Sequence, residues 1–163
     1  MKKSILSFAF LTFVLFAFAQ KQLPDLNLKT LEGKPINARE LAQKDKITVI
    51  SFWATWCAPC QKELAAIAPK YDDWQKNYKT ELVAITIDNA QGLPKVKPMV
   101  AQKRWKYTVL SDVNSQLLTQ LGGQNVPFTV IIDAKGNVVY THNGYKAGDE
   151  DELEKKLAAL SAK

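Results

Sequence analysis

The chain is poor in the residues that hold metals and build disulfide frameworks. Its 163 residues include one histidine, His142, and two cysteines, Cys57 and Cys60. Zinc takes about four ligands, commonly two Cys pairs or one pair with two histidines, so no metal site is expected within the chain. A bridge across two intervening residues closes almost no loop, and disulfide stabilisation grows with loop length, so a structural staple explains the cysteines poorly. Internal repeats and low-complexity stretches are also missing. At 47% hydrophobic and 23% charged residues, the composition is globular and excludes a collagen-like or wholly disordered chain. The length suits one ordinary domain. A net charge of +6 is modest. The densest basic stretch, Lys95, Lys97, Lys103, Arg104 and Lys106, is broken by Pro98 and Trp105 and has no regular spacing on one helix face. It reads as solvated surface, and no nucleic-acid partner is expected.

No apolar run reaches the roughly 20 residues of a membrane span. The longest is Ile5 to Ala19, which holds five of the seven Phe residues, follows Met1-Lys2-Lys3 and ends in Ala17-Phe18-Ala19 before Gln20. A positive start, a short apolar stretch and a small-x-small site have the layout of a secretory signal. Residues 1–19 are therefore expected to be a signal peptide, with residues 20–163 forming the domain. The alternative is an uncleaved N-terminal membrane anchor. No Cys follows Ala19, which argues against a lipoprotein. Cleavage there would remove Lys2 and Lys3 and lower the charge to +4.

With metal and staple set aside, Trp56-Cys57-Ala58-Pro59-Cys60 reads as a redox pair, in which one thiol attacks a partner's disulfide and the other resolves the mixed disulfide. No cofactor is called for. The flanks agree. Lys46 to Trp53 is a short, β-branched, apolar run interrupted only at Ser51, as expected of a buried strand. Leu64, Ile67, Ala68 and Tyr71 recur at helical spacing, so the pair lies where a strand passes into a helix. Pro59 suits the first helical turn, and Pro69 predicts a kink. At the helix N-terminus the dipole and free N–H groups would stabilise a Cys57 thiolate, whereas Cys60, one turn in, should be less exposed.

Elsewhere, Leu26–Leu28 and Lys34–Ile36 flank a turn and predict a hairpin. Asn37 with Glu40 reads as a helix cap opening a short helix through Gln43. Residues 81–88 predict a strand parallel to the first. Pro94–Lys106 and Ser115–Leu121 are helix candidates, the second ended by Gly122-Gly123. Phe128–Asp133 and Val138–Thr141 form the clearest hairpin. Asp149–Leu160 predicts an amphipathic helix with Leu153, Leu157 and Leu160 on one face. Together these give an α/β domain with a central mixed sheet flanked by helices.

Phe52-Trp53-Ala54-Thr55-Trp56-Cys57-Ala58-Pro59-Cys60 resembles the active-site segment of the thioredoxin superfamily, and Val126-Pro127-Phe128-Thr129 its cis-proline loop. Pro24-Asp25-Leu26, Leu31-Glu32-Gly33-Lys34 and Gly144 to Glu150 are similar to the exported TlpA, ResA and CcmG type of thiol-disulfide oxidoreductase. The 67-position offset from Cys60 to Pro127 resembles the spacing that this type's central insertion produces, placed here at residues 89–113. The resemblance implies a thioredoxin fold with an N-terminal β-hairpin and a central insertion. It implies a cis Pro127 that sets the Val126 backbone beside the cysteines as an edge for substrate, with Trp56 and Pro59 at the rim. It also implies net reduction of protein substrates such as apocytochrome c or misoxidised envelope proteins, with a membrane electron donor and a periplasmic location. One departure is Ser51, which stands where minimal thioredoxins carry a buried Asp. The resemblance gives that proton-handling role to Glu63, three residues after Cys60 and on its side of the helix. The alternative is a Glu favoured only by the helix dipole.

Two other functions remain open at this stage. One is a binding or chaperone module that uses the Pro127 edge. The other is a peroxiredoxin-like peroxidase, although such enzymes want Thr or Ser three residues before the attacking Cys and Pro four residues earlier, where this chain has Ala54 and Ile50. Trp53 reads as core, and His142 as a strand-end polar residue without a catalytic role.

Overall fold

The computed structural model of the protein describes residues 21–162, so the expected signal over residues 1–19 lies outside the described residues. The architecture follows from β3 (Ile47–Trp53), whose seven residues are all buried. A strand covered on both faces cannot alternate polar and apolar positions, which is why its sequence is almost continuously hydrophobic. Val49 and Trp53 enter one core with Leu64, Ile67, Trp74 and Leu157. Ile50 and Phe52 enter the other with Leu117, Leu118, Leu121 and Phe128.

Helices α1 (Ala58–Ile67) and α2 (Tyr71–Tyr78) carry the chain from β3 to β4 (Thr80–Thr86), which lies parallel to it. The break expected at Pro69 is present as a 3-10 turn over Ala68–Lys70. Strands β6 (Phe128–Ile132) and β7 (Val138–Asn143) form the expected hairpin, with β6 antiparallel to β3. Helix α4 (Gln116–Leu121) precedes β6 and ends on Gly122, whose φ of 97° is the left-handed geometry that favours glycine. Helix α5 (Asp149–Ser161) buries Leu153 and Leu157 as its periodicity predicts.

Three expectations need correction. The N-terminal hairpin is present, but its strands β1 (Asn27–Thr30) and β2 (Pro35–Asn37) lie about one residue further along. Asn37 and Glu40 do form a capping box, yet they open only a 3-10 turn over Ala38–Leu41, because the chain must enter β3 six residues later. The helix expected over Pro94–Lys106 is a 3-10 turn (Leu93–Lys95) followed by α3 (Val96–Lys103). It stops early because Trp105 and Tyr107 turn into the core, where Trp105 meets Trp53 edge-on at 5.2 Å. The 89–113 insertion also contains an unforeseen strand, β5 (Thr108–Ser111), parallel to β4 and antiparallel to β1. By joining the hairpin to the main body, β5 completes a seven-stranded mixed sheet in the order β2-β1-β5-β4-β3-β6-β7.

The passage from α4 to the start of β6 leaves no room at Gly123, where an added Cβ would lie 2.6 Å from Phe128 Cδ1 and against Leu118. Gly123→Ala is expected to lower the unfolding free energy by about 1–3 kcal/mol, read as a lower urea midpoint at unchanged slope.

Candidate active site

The site forms at the C-terminal end of β3, where the turn Ala54–Cys57 leads into α1. Cys57 is the N-cap of that helix, and its Sγ accepts the Cys60 N–H at 3.3 Å. Cys57 and Cys60 are disulfide-bonded with their Cα atoms 5.3 Å apart. Cys57 is 4% exposed and Cys60 is 0% exposed, so the order of exposure expected from sequence holds, although both sulfurs are buried. No acidic residue lies in the first turn of α1. When the bond is reduced, the helix dipole and the Cys60 N–H favour negative charge on Cys57 over Cys60.

Asp88, which sequence reading treated only as the end of a strand, fixes this turn. Its buried carboxylate accepts the Thr55 N–H at 2.8 Å, the Thr55 hydroxyl at 2.7 Å and the Thr86 hydroxyl at 2.6 Å. The Gln61 side-chain amide donates to the Thr55 carbonyl from the other side at 2.8 Å. Trp56, next in the chain, is left 69% exposed, and Pro59 is also exposed.

One turn deeper, Glu63 is 4% exposed. The alternative of a solvated acid favoured only by the helix dipole therefore does not hold. Its carboxyl accepts the Ser51 hydroxyl at 2.9 Å and the Thr129 hydroxyl at 2.7 Å. Ser51 and Thr129 are register partners on β3 and β6, so their side chains share a sheet face. Ser51 is thus part of the cradle of the buried acid. Thr129 was missed from sequence, where a hydroxyl in an apolar strand is a weak signal. Burial pushes the Glu63 carboxyl above the ordinary range, and the two hydroxyls offset this in part.

The same β3–β6 register pairs Phe52 with Phe128, which brings Pro127, one residue before Phe128, level with the end of β3. The Val126–Pro127 peptide is cis, and Val126 packs against the core that contains both cysteines. Two open grooves lie along the disulfide turn and the cis-proline loop. One, of about 480 Å³, runs past Thr55, Trp56 and Met99; another, of about 460 Å³, runs past Asn125, Val126 and Pro127. Among the described residues, no three His, Cys, Asp or Glu side chains converge as a metal-binding cluster.

Residues 19–141 match the AhpC/TSA family. The chain belongs to that family. It is 29% identical over 141 residues to the thiol-disulfide oxidoreductase ResA of Bacillus thuringiensis subsp. konkukian, a match covering 86% of this chain and 78% of that protein. It is 31% identical to the thioredoxin-like protein YneN of Bacillus subtilis, covering 84% and 77% respectively. The solution structure of a thioredoxin-like protein from Porphyromonas gingivalis superposes with a TM-score of 0.77 at 40% identity, over 86% of this chain and 92% of that one. The thioredoxin fold expected from the Cys57 and Pro127 motifs is the fold of this AhpC/TSA member.

Two substitutions probe the cradle and the clamp. Asp88→Ala leaves the Thr55 N–H and two hydroxyls without their acceptor, and is expected to cost about 2–4 kcal/mol of stability by urea unfolding and to raise the alkylation rate of reduced Cys57. For Glu63, a folded-state pKa above the unfolded value of about 4.3 means that its contribution to stability is present below that pH and is lost as pH rises through the folded pKa. Glu63→Gln abolishes this titration. The stability of the variant minus that of the wild type is therefore expected to increase with pH above about 4.3 and then level off, as measured by denaturant unfolding across pH.

Proposed function

We propose that the protein is an exported thiol-disulfide oxidoreductase in which Cys57 attacks a partner's sulfur, Cys60 resolves the mixed disulfide and Glu63 takes the Cys60 proton. The observation that carries this reading is the Cys57–Cys60 bond at the start of α1, with one sulfur receiving the helix N–H and a buried, hydroxyl-held carboxyl one turn below. That arrangement separates the tasks: the N-cap stabilises a thiolate, and a carboxyl raised by burial is the better proton acceptor for a thiol. Trp56, Pro59 and the Val126–Pro127 loop form the rim over which a substrate strand would lie. The relative's name, thiol-disulfide oxidoreductase ResA, supports the same chemistry.

Net reduction in the periplasm, with electrons from a membrane donor and substrates of the apocytochrome c kind, is the direction the family resemblance favours. Export is supported by the pattern of residues 1–19, and an uncleaved anchor would leave the chemistry unchanged. A peroxidase reading has less support. Ala54 and Ile50 are both fully buried and apolar, so neither position offers a hydroxyl to orient a peroxide. The binding-module reading requires the Cys pair to be incidental.

The decisive measurement is the reduction potential of the Cys57/Cys60 couple, equilibrated against a dithiol buffer and read by thiol trapping. A reductant is expected at or below about −270 mV, the value of thioredoxin; a value near the roughly −120 mV of DsbA overturns that direction. Failure to cycle at all removes the oxidoreductase reading. Cys60→Ser is expected to accumulate a mixed disulfide through Cys57, whereas Cys57→Ser forms none; both are read on non-reducing gels.

A further inference from the structure

We propose that His142 is the outlet through which the Glu63 carboxyl exchanges its proton with solvent, by a path that does not pass the sulfurs. The inference rests on the reading that Glu63 takes the Cys60 proton, and it answers a question that reading leaves open. Glu63, Cys60, Ser51 and Thr129 are all buried. A proton delivered to Glu63 in one catalytic cycle has to leave before the next.

The sheet supplies a row of polar side chains that leads outward. Ser51 on β3 pairs with Thr129 on β6, and Thr129 pairs with His142 on β7. Residues paired across antiparallel strands point to the same face, so the row lies beneath α1 and α5. A cavity of about 10 Å³ is lined by Glu63, Thr129, His142, Asp149 and Glu150. That is about the smallest space that holds one water, and this one has several polar groups to hold it. The His142 side chain is 35% exposed, so the row reaches solvent there.

The other titratable groups that line or adjoin this space are poorly suited to pass a proton. The phenol of Tyr140 on β7 is pushed upward by burial and the Asp149 charge, and that of Tyr145 is pushed up to about 12 by burial and its bond to Glu150. Burial would raise Asp149, but the Lys146 N–H and His142 hold it below the usual carboxylate range. Glu150 is occupied by the Tyr145 hydroxyl and the Gly148 N–H. Ile67 of α1 and Leu153 of α5 close the remaining walls and carry no proton. The imidazole of His142 can accept a proton and release it again. The ring is also held in place: Nε2 lies 3.1 Å from Asp149 Oδ2, and the ring lies parallel to that of Tyr140 at 6.3 Å.

In the step concerned, Cys60 loses its proton to the Glu63 carboxylate. The Cys60 sulfur then uses its electron pair to form the bond to Cys57, and the substrate sulfur leaves with the pair of the broken mixed disulfide and takes a proton from solvent. The neutral Glu63 carboxyl passes its proton through a water in the cavity to His142, which releases one to bulk water. No electrons move in that last transfer, and Glu63 is again a carboxylate.

The test is a pH jump on the oxidised protein, following the Glu63 carboxyl stretch by infrared spectroscopy. The band is assigned as the one that disappears in Glu63→Gln. Its relaxation is expected to slow at least tenfold in both His142→Ala and His142→Gln, the latter keeping a side chain able to hydrogen-bond Asp149. Added imidazole is expected to restore the rate of His142→Ala. Relaxation at the wild-type rate in folded His142→Gln overturns the outlet, as does slowing that imidazole fails to reverse in His142→Ala, because that would be a packing effect. If Glu63 relaxes slowly in the variants but Glu63→Gln resolves mixed disulfides at the wild-type rate, the Glu63 reading fails while the outlet stands as a property of the carboxyl. If no band is lost in Glu63→Gln, both fail.

Discussion

A carboxyl group in an apolar interior sets the conditions that the rest of this site has to meet. Taking Glu63 out of water is costly unless hydrogen bonds replace the lost hydration. The replacements come from two hydroxyls, Ser51 and Thr129, on adjacent central strands. Both must lie on the α1 face, and they do so only in the register that pairs Ser51 with Thr129. A slip of one residue would turn Thr129 to the opposite core and bring Phe128 or Val130 toward the acid. The same register sets Pro127 level with the end of β3. The buried acid site and the cis-proline loop are therefore two consequences of one pairing.

The insertion at residues 89–113 has an analogous relation to the thiols. Strand β5 binds the N-terminal hairpin to the sheet, and Trp105 and Tyr107 extend the core beneath α1, where the Tyr107 hydroxyl donates to the Leu64 carbonyl at 2.7 Å. Immediately before the insertion, Asp88 grips Thr55. Gly92, inside the insertion, approaches so closely that a Cβ there would lie 2.6 Å from Asp88 Oδ1. The path of the insertion, the Asp88 carboxylate and the Cys57 turn are thus in direct contact, which ties an added segment mechanically to the reactive sulfur.

What could be read from the sequence is what depends on local spacing. The continuous apolar run of β3, the Pro59 and Cys57 positions at a helix start, and the leucine spacing of α5 are all decided by near neighbours. Glu63 was singled out by resemblance to the buried acid of ResA-like proteins, and an offset of three places it on the Cys60 side of the helix. Its partners were not found, since Thr129 lies 66 positions away and a lone hydroxyl in a strand has many uses. Strand β5 escaped for a related reason: four residues with two apolar side chains, Val109 and Leu110, form a strand only because β4 and β1 stand on either side. Asp88 was overlooked in the same way, its surroundings being assembled from the Thr55 turn, β4 and the start of the insertion.

These constraints also determine how a partner can approach. The disulfide is nearly inaccessible, the turn before it is held from both sides through Thr55, and the acid below is sealed by strand hydroxyls. The parts left exposed are Trp56, Pro59 and the grooves beside them. On the proposed reading, rigidity at Thr55 and exposure at Trp56 serve one end. A thiolate that must attack along the axis of another disulfide gains from a fixed direction, while an indole on the rim provides apolar area that can fit many protein surfaces. Geometry specific to sulfur and contact tolerant of sequence are thereby assigned to adjacent residues, which suits an exchange enzyme whose substrates share a disulfide and little else.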